Sequence, residues 1–133
     1  MQKILVAYDG GEPAKRAITA AAELSRAFGA EVSVISVVPR RMGRSPTDPW
    51  DDHTVHAEEL LEAQRLLRER GIEPLMLEPS GDPASEIERI AEAGEYDTVV
   101  VGSRSLNALG RLLEGSVSEH VATHARQTVV IAR

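Results

Sequence analysis

The sequence predicts an α/β fold: a single doubly wound domain with a five-stranded parallel sheet and helices on both faces. Three observations carry this expectation. Short apolar, β-branched runs alternate with segments of helical period along nearly the whole chain, and that alternation marks a parallel sheet covered on both sides. The junctions between the two kinds of segment fall on Gly and Pro, the residues that stop or start regular structure. The 133 residues match the size of one ordinary domain, so residues 1–133 are read as a single unit. Right-handed crossovers leave few topologies, of which the order 3-2-1-4-5 is expected.

The elements follow in order. Residues 3–9 (KILVAYD) form a buried strand ending at Asp-Gly-Gly. From Pro13 the spacing of Ala14, Ala17, Ile18, Ala21, Ala22, Ser25 and Phe28 makes one helix face, with Pro13 suited to the first turn and Gly29 to the stop. Residues 31–38 (EVSVISVV) are strand-like. Residues 40–56 contain Gly43, Pro46 and Pro49 without either period and read as a long loop. Ala57, Leu60, Leu61, Gln64 and Leu67 give a second helix, closed by Gly71. Residues 73–78 are a short strand whose Pro74 suits a sheet edge. Asp82-Pro83 opens a third helix carrying Ala84, Ile87 and Ala91 inward and ending at Gly94. Residues 98–101 (TVVV) form a strand ending on Gly102, residues 116–125 a fourth helix, and residues 128–132 (TVVIA) the last strand.

Composition excludes several functions. Fifteen basic against twenty-one acidic residues give a net charge of −6, whereas nucleic-acid binders gain affinity by neutralising phosphates with a basic excess. The aromatics Tyr8, Phe28, Trp50 and Tyr96 are too scattered to stack bases. No nucleic-acid partner is therefore expected. No apolar run reaches membrane-spanning length, and the opening MQKILVAYDG lacks the parts of a signal peptide. With no cysteine in the chain, disulfide and thiolate chemistry are absent, and a cytoplasmic location is expected.

Ligands of such sheets bind at the carboxyl ends of the strands, where strand order reverses. Here those ends are Asp9-Gly10-Gly11, Val38-Pro39-Arg40, residues 78–81 and residues 102–115. The segment GSRSLNALGRLLEGSVS, from Gly102 to Ser118, is the most informative. Gly115-Ser116 opens a helix whose unpaired amides and positive dipole end suit phosphate. Ser116 and Glu119 also spell a capping box, which would satisfy the same amides internally. Both readings stand on the residues. The segment lacks the lysine of a Walker A loop, the turn after the first strand lacks G-x-G-x-x-G, and no paired-His motif lies near that strand.

This segment, the first strand ending in Asp9-Gly10 and the long loop after the second strand together resemble the universal stress protein family over essentially the whole chain. The family's ATP-binding pattern, G-x2-G-x9-G-[S/T], falls on Gly102, Ser105, Gly115 and Ser116, with serine in place of the second glycine. The resemblance implies ATP, with or without Mg²⁺, in the crevice between the first and fourth strands. Asp9, with Ala7 behind it, would face the adenosine, and the main chain near Val37 and Val38 would face adenine. Gly102 would admit the ribose, while Arg104, Ser105, Gly115, Ser116 and Val117 would surround the phosphates. Asp9 and phosphate would repel each other, so a ribose hydroxyl or a Mg²⁺ ion is expected at Asp9. Serine at position 105 costs on the order of 1 kcal/mol in a left-handed conformation, which weakens such a site without abolishing it.

Other clusters have plainer readings. Asp51, Asp52, His53 and His56 are potential metal ligands, but acidic residues also suit a first helical turn. Arg40, Arg41 and Arg44 are a solvated turn or a polyphosphate contact, and His120 and His124 are surface or packing residues. No nucleophile-base-acid arrangement is spelled out, so catalysis beyond slow ATP hydrolysis is not expected. The resulting expectation is an adenine-nucleotide-binding stress-response or signalling module. It would homodimerise through the edge strand Thr128-Val129-Val130-Ile131-Ala132-Arg133. The alternatives are a nucleotide-independent dimeric interaction protein and a slow ATPase.

Overall fold

The computed structural model describes residues 1–38, 51–103 and 127–133, with the backbone alone for residues 51–56. In chain order the elements are β1 (Lys3–Ala7), α1 (Glu12–Phe28), β2 (Glu31–Ile35), α2 (Asp51–Arg68), β3 (Leu75–Leu77), α3 (Pro83–Ala93), β4 (Thr98–Gly102) and β5 (Thr128–Ala132). The five strands form one sheet in the order β3-β2-β1-β4-β5 with every pair parallel, as expected. The helix expected at 116–125 lies outside the described residues.

Alternate residues of β1, β2 and β4 enter two separate cores. Ile4, Val6, Tyr8, Val32, Val34 and Val100 pack on one face against the inner residues of α1 and Leu60, Ala63 and Leu67 of α2. Leu5, Ala7, Ile35, Val37, Val99 and Val101 pack on the other against Ala84, Ile87 and Ala91 of α3. The uninterrupted apolar character of β1 and β4 follows from burial on both faces. Across the second face, the Tyr96 hydroxyl donates to Ser33 Oγ at 2.6 Å, so both buried hydroxyls are satisfied.

Element ends differ from the sequence reading for local reasons. Helix α2 begins at Asp51, six residues before the expected start, so residues 51–56 are helical rather than loop. That stretch (DDHTVH) has one apolar residue, Val55, and therefore shows no helical period; its acidic start instead favours the amino end of a helix. Strand β3 is cut to three residues because Pro74 lacks a donor for the ladder. Strands β1 and β2 stop at Ala7 and Ile35; past β2, a bridge between Val38 and Ser80 continues the pairing on the β3 side. Helix α1 ends at Gly29 in the left-handed conformation, its N–H donating to Ser25 O at 2.8 Å. At the start of α3, Asp82 accepts from Ser85 N at 3.0 Å and Ser85 Oγ at 2.9 Å.

Asp97 fastens the amino ends of the central strands. Its Oδ2 accepts from Gln2 N at 2.7 Å and Lys3 N at 3.1 Å, and its Oδ1 from Thr98 Oγ1 at 2.8 Å. Burial opposes the charged form, but these hydrogen bonds outweigh it and hold the carboxyl below its ordinary range. A depressed folded-state pKa means the stabilisation is present above the unfolded value, near 3.9, and is lost as pH falls through the folded value. Asp97→Ala should therefore lower stability at neutral pH by about 1–2 kcal/mol. The deficit should shrink in denaturation curves taken below about pH 3. An equal deficit at both pH values would show that the carboxylate charge is not what stabilises the junction.

Candidate functional site at the carboxyl ends of β1 and β4

The crossover from β1 leads to β2 on one side, while β4 pairs with β1 on the other, so strand order reverses between β1 and β4. This is where an open α/β sheet leaves a crevice. The turn after β1 forms one wall. Gly11 N donates to Asp9 Oδ1 at 3.0 Å, so the carboxylate closes its own turn, and Gly10 takes the left-handed conformation at φ +83°. Helix α1 then starts at Gly11 with no side-chain cap.

Val37 and Val38 separate at the end of β2. The Val38 N–H donates to Pro79 O at 2.8 Å and its carbonyl accepts from Gly81 N at 2.9 Å, so the β3–α3 connection uses both groups. Ser36 likewise donates to Leu77 O, whereas Ile35 accepts from Tyr8 N. Main-chain groups alternate sides along an extended chain. The N–H and C=O of Val37 therefore face the β1 side, where neither has a partner among the described residues. The side chains of Ala7 and Val37 are buried in the α3-side core, which leaves the main chain as the part a ligand can reach.

Gly102 ends β4 and is buried. The β1–β4 pairing ends at Val6 and Val100, so Asp9 and Gly102 both follow the paired part of their strands at the same end of the sheet. A Cβ on Gly102 would stand 2.5 Å from both the carbonyl carbon and oxygen of Pro13 and 2.9 Å from Ala14 N. The missing side chain thus lets the first turn of α1 lie directly on the strand end, a use the sequence reading did not assign to it. Asp9, Ala7, Val37, Val38 and Gly102 converge at this one edge of the sheet. Arg104, Ser105, Gly115, Ser116 and Val117 lie outside the described residues, as do Arg40, Arg41, Arg44, His120, His124 and the side chains of Asp51, Asp52, His53 and His56.

The sequence matches the universal stress protein family profile over residues 1–133. The chain belongs to the universal stress protein family. A universal stress protein of Thermus aquaticus is 33% identical over 139 residues, covering 98% of this chain and 97% of that one. Among solved structures, the universal stress protein of Archaeoglobus fulgidus in complex with dAMP superposes with a TM-score of 0.72 at 27% identity, covering 100% of this chain and 98% of that one. A family protein from Burkholderia pseudomallei superposes with a TM-score of 0.69 at 28% identity, covering 98% and 94%.

Within this universal stress protein fold, three polar residues at the crevice escaped the sequence reading. Tyr8 was read only as a strand residue and a scattered aromatic, and Glu59 and Glu62 were not singled out at all. The Tyr8 hydroxyl in fact donates to Glu62 Oε1 at 2.9 Å, and Glu62 Oε1 lies 3.6 Å from Lys15 Nζ. Burial, then the bond to Glu62 and the nearby carboxylates, push the Tyr8 phenol above its ordinary range, so it remains a neutral donor. A pair of residues 54 positions apart carries no short-range signal, so only the packing of α2 reveals it. Among the described residues no three acidic or histidine side chains form a metal-binding group. A cavity of about 440 Å³ lies at the opposite, amino-terminal edge, lined by Lys3, Glu31, Ser33, Leu75 and Tyr96 among others, and takes no part in this site.

Proposed function

We propose that this chain is a stress-response or signalling module that binds an adenine nucleotide, ATP with or without Mg²⁺, at the β1–β4 crevice. The observation that carries the reading is the conjunction of Asp9 and the main chain of Val37. Adenine offers an acceptor at N1 and a donor at its 6-amino group, and an adjacent N–H and C=O complement that pair. A carboxylate at the strand end accepts from ribose hydroxyls. The dAMP held by the Archaeoglobus fulgidus relative supports the ligand class. With the base at Val37 and the sugar at Asp9, the phosphates are assigned to the segment that carries Arg104, Ser105, Gly115, Ser116 and Val117, on the strength of the family pattern in the sequence. An arginine side chain, serine hydroxyls and main-chain amides are the donor types that this stretch of sequence offers to phosphate. Where a Mg²⁺ ion accompanies the nucleotide, Asp9 is a carboxylate able to share it, which offsets repulsion between Asp9 and phosphate.

The test separates base and phosphate recognition. Gly115→Val blocks main-chain approach to phosphate, so ATP affinity should fall about tenfold or more, equal to 1.4 kcal/mol. Adenosine affinity should be nearly unchanged. Calorimetric titration of both ligands checks this. Equal loss for adenosine would indicate a damaged fold, and no loss for either would place the phosphates elsewhere.

We further propose a homodimer joined through β5. Val129 and Ile131 are 39% and 36% exposed on this edge strand, and among the described residues only β4 pairs with it. An unpaired apolar edge favours joining a second copy about a two-fold axis. Sedimentation at micromolar concentration should give about twice 14.4 kDa. Ile131→Lys should return the chain to monomer; Val130 is the poorer choice because it packs against the α1-side core. A monomeric parent would remove the proposal.

A further inference from the structure

Both neighbours of Asp9 in the chain are held from helix α2. Tyr8, a residue 3% exposed, donates its hydroxyl to Glu62 Oε1 at 2.9 Å. On the other side, a Cβ at Gly10 would stand 3.1 Å from Glu59 Oε1 and 3.2 Å from its Cδ and Cγ, so the Glu59 side chain lies directly against the glycine. Lys15, on the first turns of α1, is 3.6 Å from Glu62 Oε1 and 3.4 Å from Glu12 Oε1, which ties the same carboxylate to the helix that follows the turn.

These contacts answer a mechanical problem. Asp9 sits past the end of β1 and is followed by two glycines, the residues with the widest conformational range and the greatest loss of freedom on ordering. A binding carboxylate is effective when held within roughly 0.5 Å of its working position by its surroundings. The bond from Gly11 N closes the turn locally but does not orient it with respect to the sheet. The contacts from α2 do so: Tyr8 is anchored below through its N–H to Ile35 O at 3.0 Å and sideways through its hydroxyl to Glu62. Glu59 meanwhile occupies the space into which Gly10 would move.

We propose that Tyr8, Glu62 and Glu59 are positioning residues of the nucleotide site, holding the Asp9-Gly10-Gly11 turn in the pose that presents Asp9 to the ribose hydroxyls. The inference rests on the adenine-nucleotide reading above. Its distinctive consequence is that the hydroxyl of a buried tyrosine, which touches no ligand, controls how well the site distinguishes sugars.

The test compares AMP with 2′,3′-dideoxy-AMP on the full chain, for the parent, Tyr8→Phe, Glu62→Leu and Glu62→Gln, with thermal unfolding of each. The parent should prefer AMP by about tenfold, the worth of hydrogen bonds to a charged group. In Tyr8→Phe and Glu62→Leu that preference should narrow to about twofold or threefold. Glu62→Gln keeps an acceptor for the phenol and should keep the preference. A purely structural role would lower the melting temperature and the affinity for both ligands together without changing their ratio. Folded Tyr8→Phe and Glu62→Leu proteins with the full preference would overturn the inference, as would a Glu62→Gln protein that loses it. Should Tyr8→Phe not fold, the contrast between glutamine and leucine at position 62 still decides. A parent that binds AMP without sugar preference would remove Asp9 from the ribose, and a parent that binds neither ligand would remove the nucleotide reading itself.

Discussion

Gly102→Ala should destabilise the protein by on the order of 3 kcal/mol, one of the largest single-residue effects expected here. The added Cβ would stand 2.5 Å from two main-chain atoms of Pro13 and 2.9 Å from Ala14 N. Main-chain atoms do not rotate aside as a side-chain tip does, so the end of β4 or the first turn of α1 must shift. The end of β4 is buried and Ala14 belongs to the core, which makes the strain hard to relax. Gly29 provides the control: it is left-handed at φ +67° but a Cβ there would meet nothing within 4 Å. Gly29→Ala should cost only the conformational strain, about 1 kcal/mol. Urea denaturation of the two variants measures the difference directly. If Gly102→Ala were no worse than Gly29→Ala, close packing of α1 on the strand end would not be what this glycine provides.

Asp9→Ala should weaken AMP binding by about tenfold to a hundredfold, because hydrogen bonds to a charged group contribute about 1.5–3 kcal/mol. Part of the loss comes from the turn, since the carboxylate also accepts from Gly11 N. Asp9→Asn keeps an acceptor for that bond while removing the charge, so it should fall between the parent and Asp9→Ala. Stability should change by no more than about 1 kcal/mol, the ordinary worth of one exposed turn bond. Isothermal titration with AMP, beside denaturation of the same samples, separates the two effects. Unchanged AMP affinity in Asp9→Ala would move the sugar away from β1.

The strand order was legible because the periods of β1, α1, β4 and α3 are clean and right-handed crossovers leave few ways to join them. Pro74 correctly placed β3 at an edge, and Asp82-Pro83 correctly opened α3. The start of α2 was not legible: residues 51–56 contain one apolar side chain, so helix formation there leaves no periodic trace. The candidate site was legible where its residues follow one another along the chain, as in Asp9-Gly10-Gly11. It was hidden where a residue acts through distant packing. Gly102 illustrates this: its conformational freedom can be read from a sequence, but the two residues it must admit, Pro13 and Ala14, lie about ninety positions earlier. Val37 and Val38 were indistinguishable by type, and only the bonds that Val38 makes to Pro79 O and receives from Gly81 N show which of them is already occupied. Tyr8 and Glu62 meet only because α2 packs on the face of the sheet to which Tyr8 contributes its side chain.

Equilibrium titration of the unaltered chain with ATP, in the presence and absence of Mg²⁺, bears most directly on the proposed function. Saturable binding of one nucleotide per chain is expected, with a dissociation constant on the order of micromolar, about −8 kcal/mol. Competition by AMP but not by GMP would follow from recognition of the adenine edge at Val37. No binding of either ATP or AMP at millimolar concentration by a correctly folded protein would contradict it, leaving a universal stress protein domain that works without a nucleotide.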